Sequence, residues 1–183
     1  MARSPLHRYL REVTAEAHAD LEALVGELQD LSAYKRYVAG LSAFRAPVET
    51  SFASADWTAF GDWRPTLIGR SLAADRIDLG LAGAAAGPPA FSADYSARIG
   101  TLYVLEGSSL GARLILRTVR PLGLTEKFGA RHLHRQAATL DNWHAFITLL
   151  ERDGGGIDPA AAGQSACQTF AAGRAAMQAS RSS

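Results

Sequence analysis

At 183 residues, 48% of them hydrophobic and 20% charged, the chain suits one globular domain with a single core. A formal net charge of +1 leaves no electrostatic footprint of a nucleic-acid binder or of a protein drawn to acidic membranes. One cysteine, Cys167, excludes an internal disulfide and a zinc–thiolate cluster and fits a reducing compartment. No apolar run reaches transmembrane length, so no membrane insertion is expected. The start, Met1-Ala2-Arg3-Ser4-Pro5, lacks the apolar stretch of a signal peptide, which predicts a cytoplasmic protein.

Ser4-Pro5 reads as a helix start, serine at the N-cap and proline at the first helical position. Leu6, Leu10, Val13, Ala17, Leu21, Leu24 and Leu28 then keep three- and four-residue spacing, which predicts one long amphipathic helix. His18 sits at the edge of that stripe, in line with Arg11, Thr14 and Glu22. Ser32 is read as the cap of a second helix from Ala33 to about Phe52, with Pro47 kinking or shortening it. The aromatic stretch Asp56 to Trp63 reads as a turn, and Pro65 as the opening of a third helix through about Ile77. Gly80 to Pro89 is rich in glycine, alanine and proline and reads as a loop. Ser92 or Asp94 caps a long helix that runs to about Val119, before Pro121. Thr125 to Ala130 reads as the opening of a short helix. Leu140 to Arg152 is helical with Trp143, Phe146, Ile147 and Leu150 inward, and ends at Asp153-Gly154-Gly155-Gly156. Asp158-Pro159 starts a last helix, tied to the core by Phe170 and Met177, and Ser180 to Ser183 is expected to fray. No run alternates with period two over strand length, so the fold class expected is all-α, a single domain over residues 1–183.

Within the long helix, Tyr103-Val104-Leu105-Glu106-Gly107-Ser108-Ser109-Leu110-Gly111 carries two glycines, and Gly100 precedes them on the same face. Leu102, Leu105, Leu110 and Leu114 flank them at helical spacing. A glycine inside a helix costs about 1 kcal/mol relative to alanine, so three cost roughly 3 kcal/mol. That face is nearly without side chains, and something can lie close against the backbone. Ser108 and Ser109 can bond back to carbonyls and bend the helix. Two partners satisfy this pattern: another helix in close contact, or a flat ligand.

The first helix bears on that choice. Glu22 follows His18 by four residues, so their side chains are neighbours. A metal-ligating histidine usually gives its other ring N–H to a carboxylate, carbonyl or water. Arg11, two turns earlier on the same side, could meet an anionic edge of a ligand.

Here the residues resemble a known family. Leu10 to Glu22, read Leu-Arg-Glu-Val-Thr-Ala-Glu-Ala-His-Ala-Asp-Leu-Glu, is similar to the proximal helix of heme oxygenases. Tyr103 to Gly111 resembles the distal helix of the bacterial, biliverdin-producing branch. The two stretches stand in the family's order, and a weaker likeness at Trp143, Phe146 and the Asp158-Pro159 helix start extends over nearly the whole chain.

The resemblance implies a helical bundle with heme between the first helix and a kinked, glycine-bearing distal helix. His18 would be the axial ligand of the iron and Glu22 its partner. Gly107 and Gly111 would admit the ring, with Tyr103 near the distal side. The reaction implied is opening of heme to biliverdin, Fe²⁺ and CO, using O₂ and electrons from a separate reductase or ferredoxin. Heme is then both substrate and cofactor, and no base or nucleophile from the chain is needed. Ser108 stands where mammalian-type members carry an aspartate, and Ala112 where others have a further glycine. No arginine or lysine lies in Trp143 to Leu150, where mammalian-type members supply an arginine to a propionate; Arg11, Arg98 or Arg113 could substitute.

Two other classes fit the same sequence: a protein on this fold that stores or senses heme without degrading it, and a helical bundle in which Gly107 and Gly111 serve packing alone. Arg131-His132-Leu133-His134-Arg135 reads as a solvated basic turn, His7 and His144 have no companions that suggest a metal site, and Cys167 reads as a core residue.

Overall fold

The computed structural model describes residues 4–82, 94–153 and 156–181. Eight α-helices make up most of them: α1 (Pro5–Val13), α2 (Ala15–Val25), α3 (Leu31–Ser51), α4 (Gly69–Asp78), α5 (Tyr95–Val119), α6 (Arg131–Ala137), α7 (Leu140–Asp153) and α8 (Pro159–Arg181). Extended pairing among the described residues is limited to isolated bridges of Thr125 with Phe128 and Gly129. The all-α expectation holds.

Several boundaries move for local reasons. The first amphipathic stretch is two helices, because Thr14 breaks it: its hydroxyl bonds the Leu10 carbonyl at 2.7 Å and its backbone turns to φ −99°, ψ −2°. Asp30, not Ser32, caps α3, accepting the Ala33 N–H at 2.7 Å. Pro47 lies inside α3, which continues to Ser51. The third helix begins at Gly69 rather than Pro65, because the Glu49 carboxylate collects the Ile68 and Gly69 N–H groups and fixes its start there. Asp94 caps α5 through the Ala97 N–H at 2.8 Å; Ser92 and most of the expected Gly80–Pro89 loop lie outside the described residues. Residues 125–129 form a turn and α6 starts only at Arg131. The last helix keeps Ser180 and Arg181, whose guanidinium donates to the Leu24 carbonyl at 3.0 Å. Cys167 is half-buried beneath the Val13 carbonyl rather than in the core.

The bundle is laid on α8, against which α1, α2, α3 and α5 all pack. Small residues on α8 make this possible. A β-carbon at Gly163 would come 3.0 Å from the Tyr9 ring of α1. The α5–α8 contact is closer still: a β-carbon at Gly100 would lie 1.9 Å from the Ala162 carbonyl oxygen and 2.9 Å from the Ala166 nitrogen. Gly100 is therefore a helix-packing glycine. Around these contacts lie two apolar clusters, one on Leu10, Ile99, Leu102, Phe146 and Leu150, the other on Tyr34, Val38, Ile68, Leu72 and Leu133.

Two buried polar networks lock the outer helices. Arg45, 2% exposed, donates to Glu49 at 2.8 Å, to the Thr66 carbonyl at 2.8 Å and to the Leu105 carbonyl at 3.5 Å. Glu106 accepts from the Thr66 N–H at 2.6 Å and from Asn142 Nδ2 at 2.9 Å, tying α5 to α7; burial pushes its carboxyl up from the usual range. On the other side, Asp75 of α4 is fully buried and receives the backbone N–H of Arg131 and His132, the Arg131 guanidinium, and His132 Nδ1 at 2.8 Å. The Arg131–Arg135 segment is thus a helix docked on a buried carboxylate, not a solvated turn, and His132 is completely buried.

The Asp75–His132 pair gives a pH dependence with a definite sign. Burial holds the His132 imidazole below its ordinary 6.5 despite the favourable carboxylate beside it. Nδ1–H is the donor to Asp75, so the neutral ring keeps a bare Nε2, which has no partner among the described residues to receive a second N–H. Burial raises the Asp75 carboxyl, but the hydrogen bonds from His132 and Arg131 outweigh it and hold it below 3.8. Both folded values lie below the unfolded ones, so the unfolded chain takes up more protons on acidification. Stability should therefore fall as the pH drops below about 6.5, the ordinary histidine value, and fall again below the ordinary aspartate value of about 3.9. Urea midpoints between pH 7.5 and 5 check this; His132→Gln should flatten the upper part of the curve, and an equally steep fall in that variant would assign it to other groups.

Candidate functional site

The candidate site residues named from the sequence fall mainly on α2 and α5. The α2 sequence Ala-Glu-Ala-His-Ala-Asp-Leu-Glu-Ala-Leu-Val has no buried residue over its eleven positions, although it packs on α8 through Leu21 beside Gly173. Its large apolar residues Leu21, Leu24 and Val25 are half-buried against the second cluster, and the other face, with His18, Ala19, Glu22 and Ala23, is exposed. On α5, Leu102 and Leu105 go to the core, whereas Leu110 and Leu114 are 49% and 64% exposed. The glycines separate in the same way. A β-carbon on Gly111 meets no atom within 4 Å, and one on Gly107 would touch only the edge of the Trp143 ring at an ordinary 3.7 Å. Gly100 serves packing; Gly107 and Gly111 do not. A cleft of about 350 Å³ lies between the end of α2 and the second half of α5, lined by residues 25–29 and by Leu114, Ile115 and Thr118.

No protein-family model matches the chain. The heme oxygenase PigA of Pseudomonas aeruginosa is 30% identical over 152 residues, 78% of this chain and 75% of that protein. The chain belongs to the heme oxygenase family. The NO- and CO-bound heme oxygenase of Neisseria meningitidis has the same fold, with a TM-score of 0.72 over 96% of this chain and 91% of that one, at 21% identity.

On this family fold the residues singled out from sequence divide into two groups. His18 is on α2, its side chain 57% exposed, with Nδ1 3.5 Å from Glu22 Oε2 and its ring edge-on to Phe170 at 5.7 Å between centroids. Arg11 is exposed on the last turn of α1. Gly107, Ser108 and Gly111 lie on the outward part of α5. Tyr103, one turn before Gly107, is packed against His7 and Trp143 with ring centroids 6.0 and 5.6 Å away. The other two arginines have backbone partners. Arg98 is about 180° round the helix from Gly107 and its guanidinium donates to the Asp56 carbonyl. Arg113 Nε donates to the Ala137 carbonyl at 3.1 Å. Both guanidinium groups are thus engaged by backbone carbonyls of other segments. α5 itself runs unbroken from Tyr95 to Val119, so the expected kink does not interrupt its hydrogen-bond ladder. Ser108 does bond back, to the Leu105 carbonyl at 2.5 Å.

Sequence reasoning missed the polar groups behind α5. Arg45 and Glu49 stand four apart and were legible as a helical pair, but nothing in the sequence says that the pair is buried or that it reaches Thr66. Glu106 was read as part of a motif, with no hint of its bonds to Thr66 and Asn142, 40 and 36 residues away. Gln136, which donates to Ser108 Oγ at 2.8 Å, carries no local signal at all.

Proposed function

We propose that residues 1–183 form a single heme oxygenase domain that binds heme between α2 and α5 and opens its ring. The observation that carries this reading is the pair of uncovered faces: an α2 with no buried residue, and an α5 whose Gly111 has no neighbour beside the exposed Leu110 and Leu114. Exposed large apolar side chains beside a bare stretch of backbone mark a binding surface, and a flat macrocycle suits a helix face without side chains. When bound, heme supplies both the iron at which O₂ reacts and the ring that is opened to biliverdin, Fe²⁺ and CO, with electrons from an external reductase or ferredoxin.

The chain's own part is binding and orientation. His18 would ligate the iron through Nε2 as a neutral imidazole, and Glu22 would take the Nδ1–H, fixing the tautomer and the ring plane. Gly107 and Gly111 let the α5 backbone come close to the ring. Leu110 and Leu114 would exclude water from its edge. Arg98 and Arg113 are held by backbone carbonyls, so Arg11 is the cation proposed for a propionate. Tyr103, wedged against His7 and Trp143, would form a rigid wall.

Titration with hemin tests the reading. A Soret band with histidine ligation is expected, and reductant plus O₂ should convert it to biliverdin absorption. No band would leave a helical bundle without heme; a band that persists under reductant and O₂ would leave a heme-binding protein without turnover. Gly111→Leu should separate ligand space from folding. The apo protein should hold or gain stability, by roughly 1 kcal/mol from helix propensity, while heme affinity and turnover fall sharply. Apo destabilisation with normal turnover would return Gly111 to a packing role.

A further inference from the structure

Ser108 stands on α5 between Gly107 and Gly111, beside the bare face, and its hydrogen bonding is asymmetric. Its Oγ is 2.5 Å from the Leu105 carbonyl oxygen, which can only accept, so the single hydroxyl proton is committed there. The Gln136 side chain faces the same Oγ at 2.8 Å, and with the proton already placed that contact must be an N–H donor. One lone pair of Ser108 remains, on an exposed residue. Gln136 itself is 4% exposed and one turn beyond His132 on α6. The start of α6 is clamped to Asp75 by two backbone N–H groups, the Arg131 guanidinium and the His132 ring. A second bond, Arg113 Nε to the Ala137 carbonyl, ties the end of α6 to α5. The amide is therefore presented to Ser108 from a rigid support.

We infer that Gln136 is a positioning residue for the distal side: by donating to Ser108 Oγ it holds the hydroxyl proton turned back to Leu105 and makes Ser108 a hydrogen-bond acceptor toward the ligand. This rests on the heme-binding reading above. Without the Gln136 donor the hydroxyl is free to rotate and donate outward, which reverses the polarity of the exposed hydroxyl between the two glycines, Ser109 being buried. The Asp75–His132 pair reaches the site through the same helix, because α6 carries both the clamp and the amide.

The test is the acid–alkaline transition of the ferric heme complex, read from the Soret and visible bands. An acceptor at Ser108 favours coordinated water over hydroxide. Ser108→Ala should lower the midpoint by about half a pH unit, the size of one net hydrogen bond. Gln136→Met should lower it by a similar amount, and adding Gln136→Met to Ser108→Ala should shift it no further. Gln136→Asn, which keeps the amide but withdraws it by one methylene, should repeat the shift with the fold intact. Equal Gln136 shifts in both backgrounds would make its role merely structural and overturn the inference, as would an unchanged midpoint in either Ser108→Ala or the Gln136 variants. The heme-binding reading fails separately, on the wild type: if hemin gives no histidine-ligated Soret band there, that reading falls and takes this inference with it.

Discussion

Gly100→Ala should destabilise the protein severely, more than any other single methyl added to α5. The new carbon would lie 1.9 Å from the Ala162 carbonyl oxygen and 2.9 Å from the Ala162 carbon and the Ala166 nitrogen. All three are backbone atoms of α8, so no side-chain rotation relieves the contact. The two helices must separate, and every contact along the α5–α8 seam loosens with them: Ile99 and Leu102 on one side, Ala162 and Ala166 on the other, all fully buried. Overpacking a close-packed core typically costs about 1–3 kcal/mol, and a backbone clash belongs at or above the top of that range. The gain in helix propensity, about 1 kcal/mol, is smaller. Against a total stability of about 5–15 kcal/mol the loss is large enough to lower the melting temperature by several degrees or abolish folding. Gly107→Ala and Gly111→Ala are the controls: with room at both positions, each should leave the apo protein as stable or more so. Thermal and urea unfolding of the three apo variants decides it. A Gly100→Ala protein as stable as wild type would mean that α5 and α8 are not in this contact.

His18→Ala should nearly abolish ring opening while leaving the fold intact. His18 is more than half exposed, its Nδ1 lies 3.5 Å from Glu22 on the same helix, and its ring contact with Phe170 is at the edge. Little stability is at stake, because surface substitutions away from caps and buried networks usually cost within about 0.5 kcal/mol. The expected loss is of the histidine–iron bond. Heme can still enter, since apolar burial against the exposed Leu110 and Leu114 of α5 does not depend on that bond. Added imidazole should partly restore the ferric spectrum by filling the vacated position. The measurements are the ferric spectrum with and without imidazole, followed by a single turnover. A wild-type spectrum and biliverdin yield in His18→Ala would mean another residue holds the iron, and the pocket proposed between α2 and α5 would have to be moved.

The sequence by itself determined the class of fold, most of the helices and the two stretches on which the site is proposed. Periodicity fixes a helix wherever a stripe recurs every three or four residues, and this chain keeps such stripes from Leu6 to Met177. His18, Glu22, Gly107 and Gly111 are local patterns, legible because four residues make one helical turn. What only the tertiary structure decided is which partner each residue meets. Gly100 and Gly111 look alike on a helical wheel, yet the α8 backbone lies directly against one and the other faces open space. Arg98 and Arg113 are plausible anion contacts by charge, but the Asp56 and Ala137 carbonyls, 42 and 24 residues away, take them first. His132 reads as a surface histidine in a basic run until Asp75, 57 residues earlier, is brought beneath it. Burial and long-range hydrogen bonding depend on segments far apart in the chain, and local periodicity carries no information about which of them will meet.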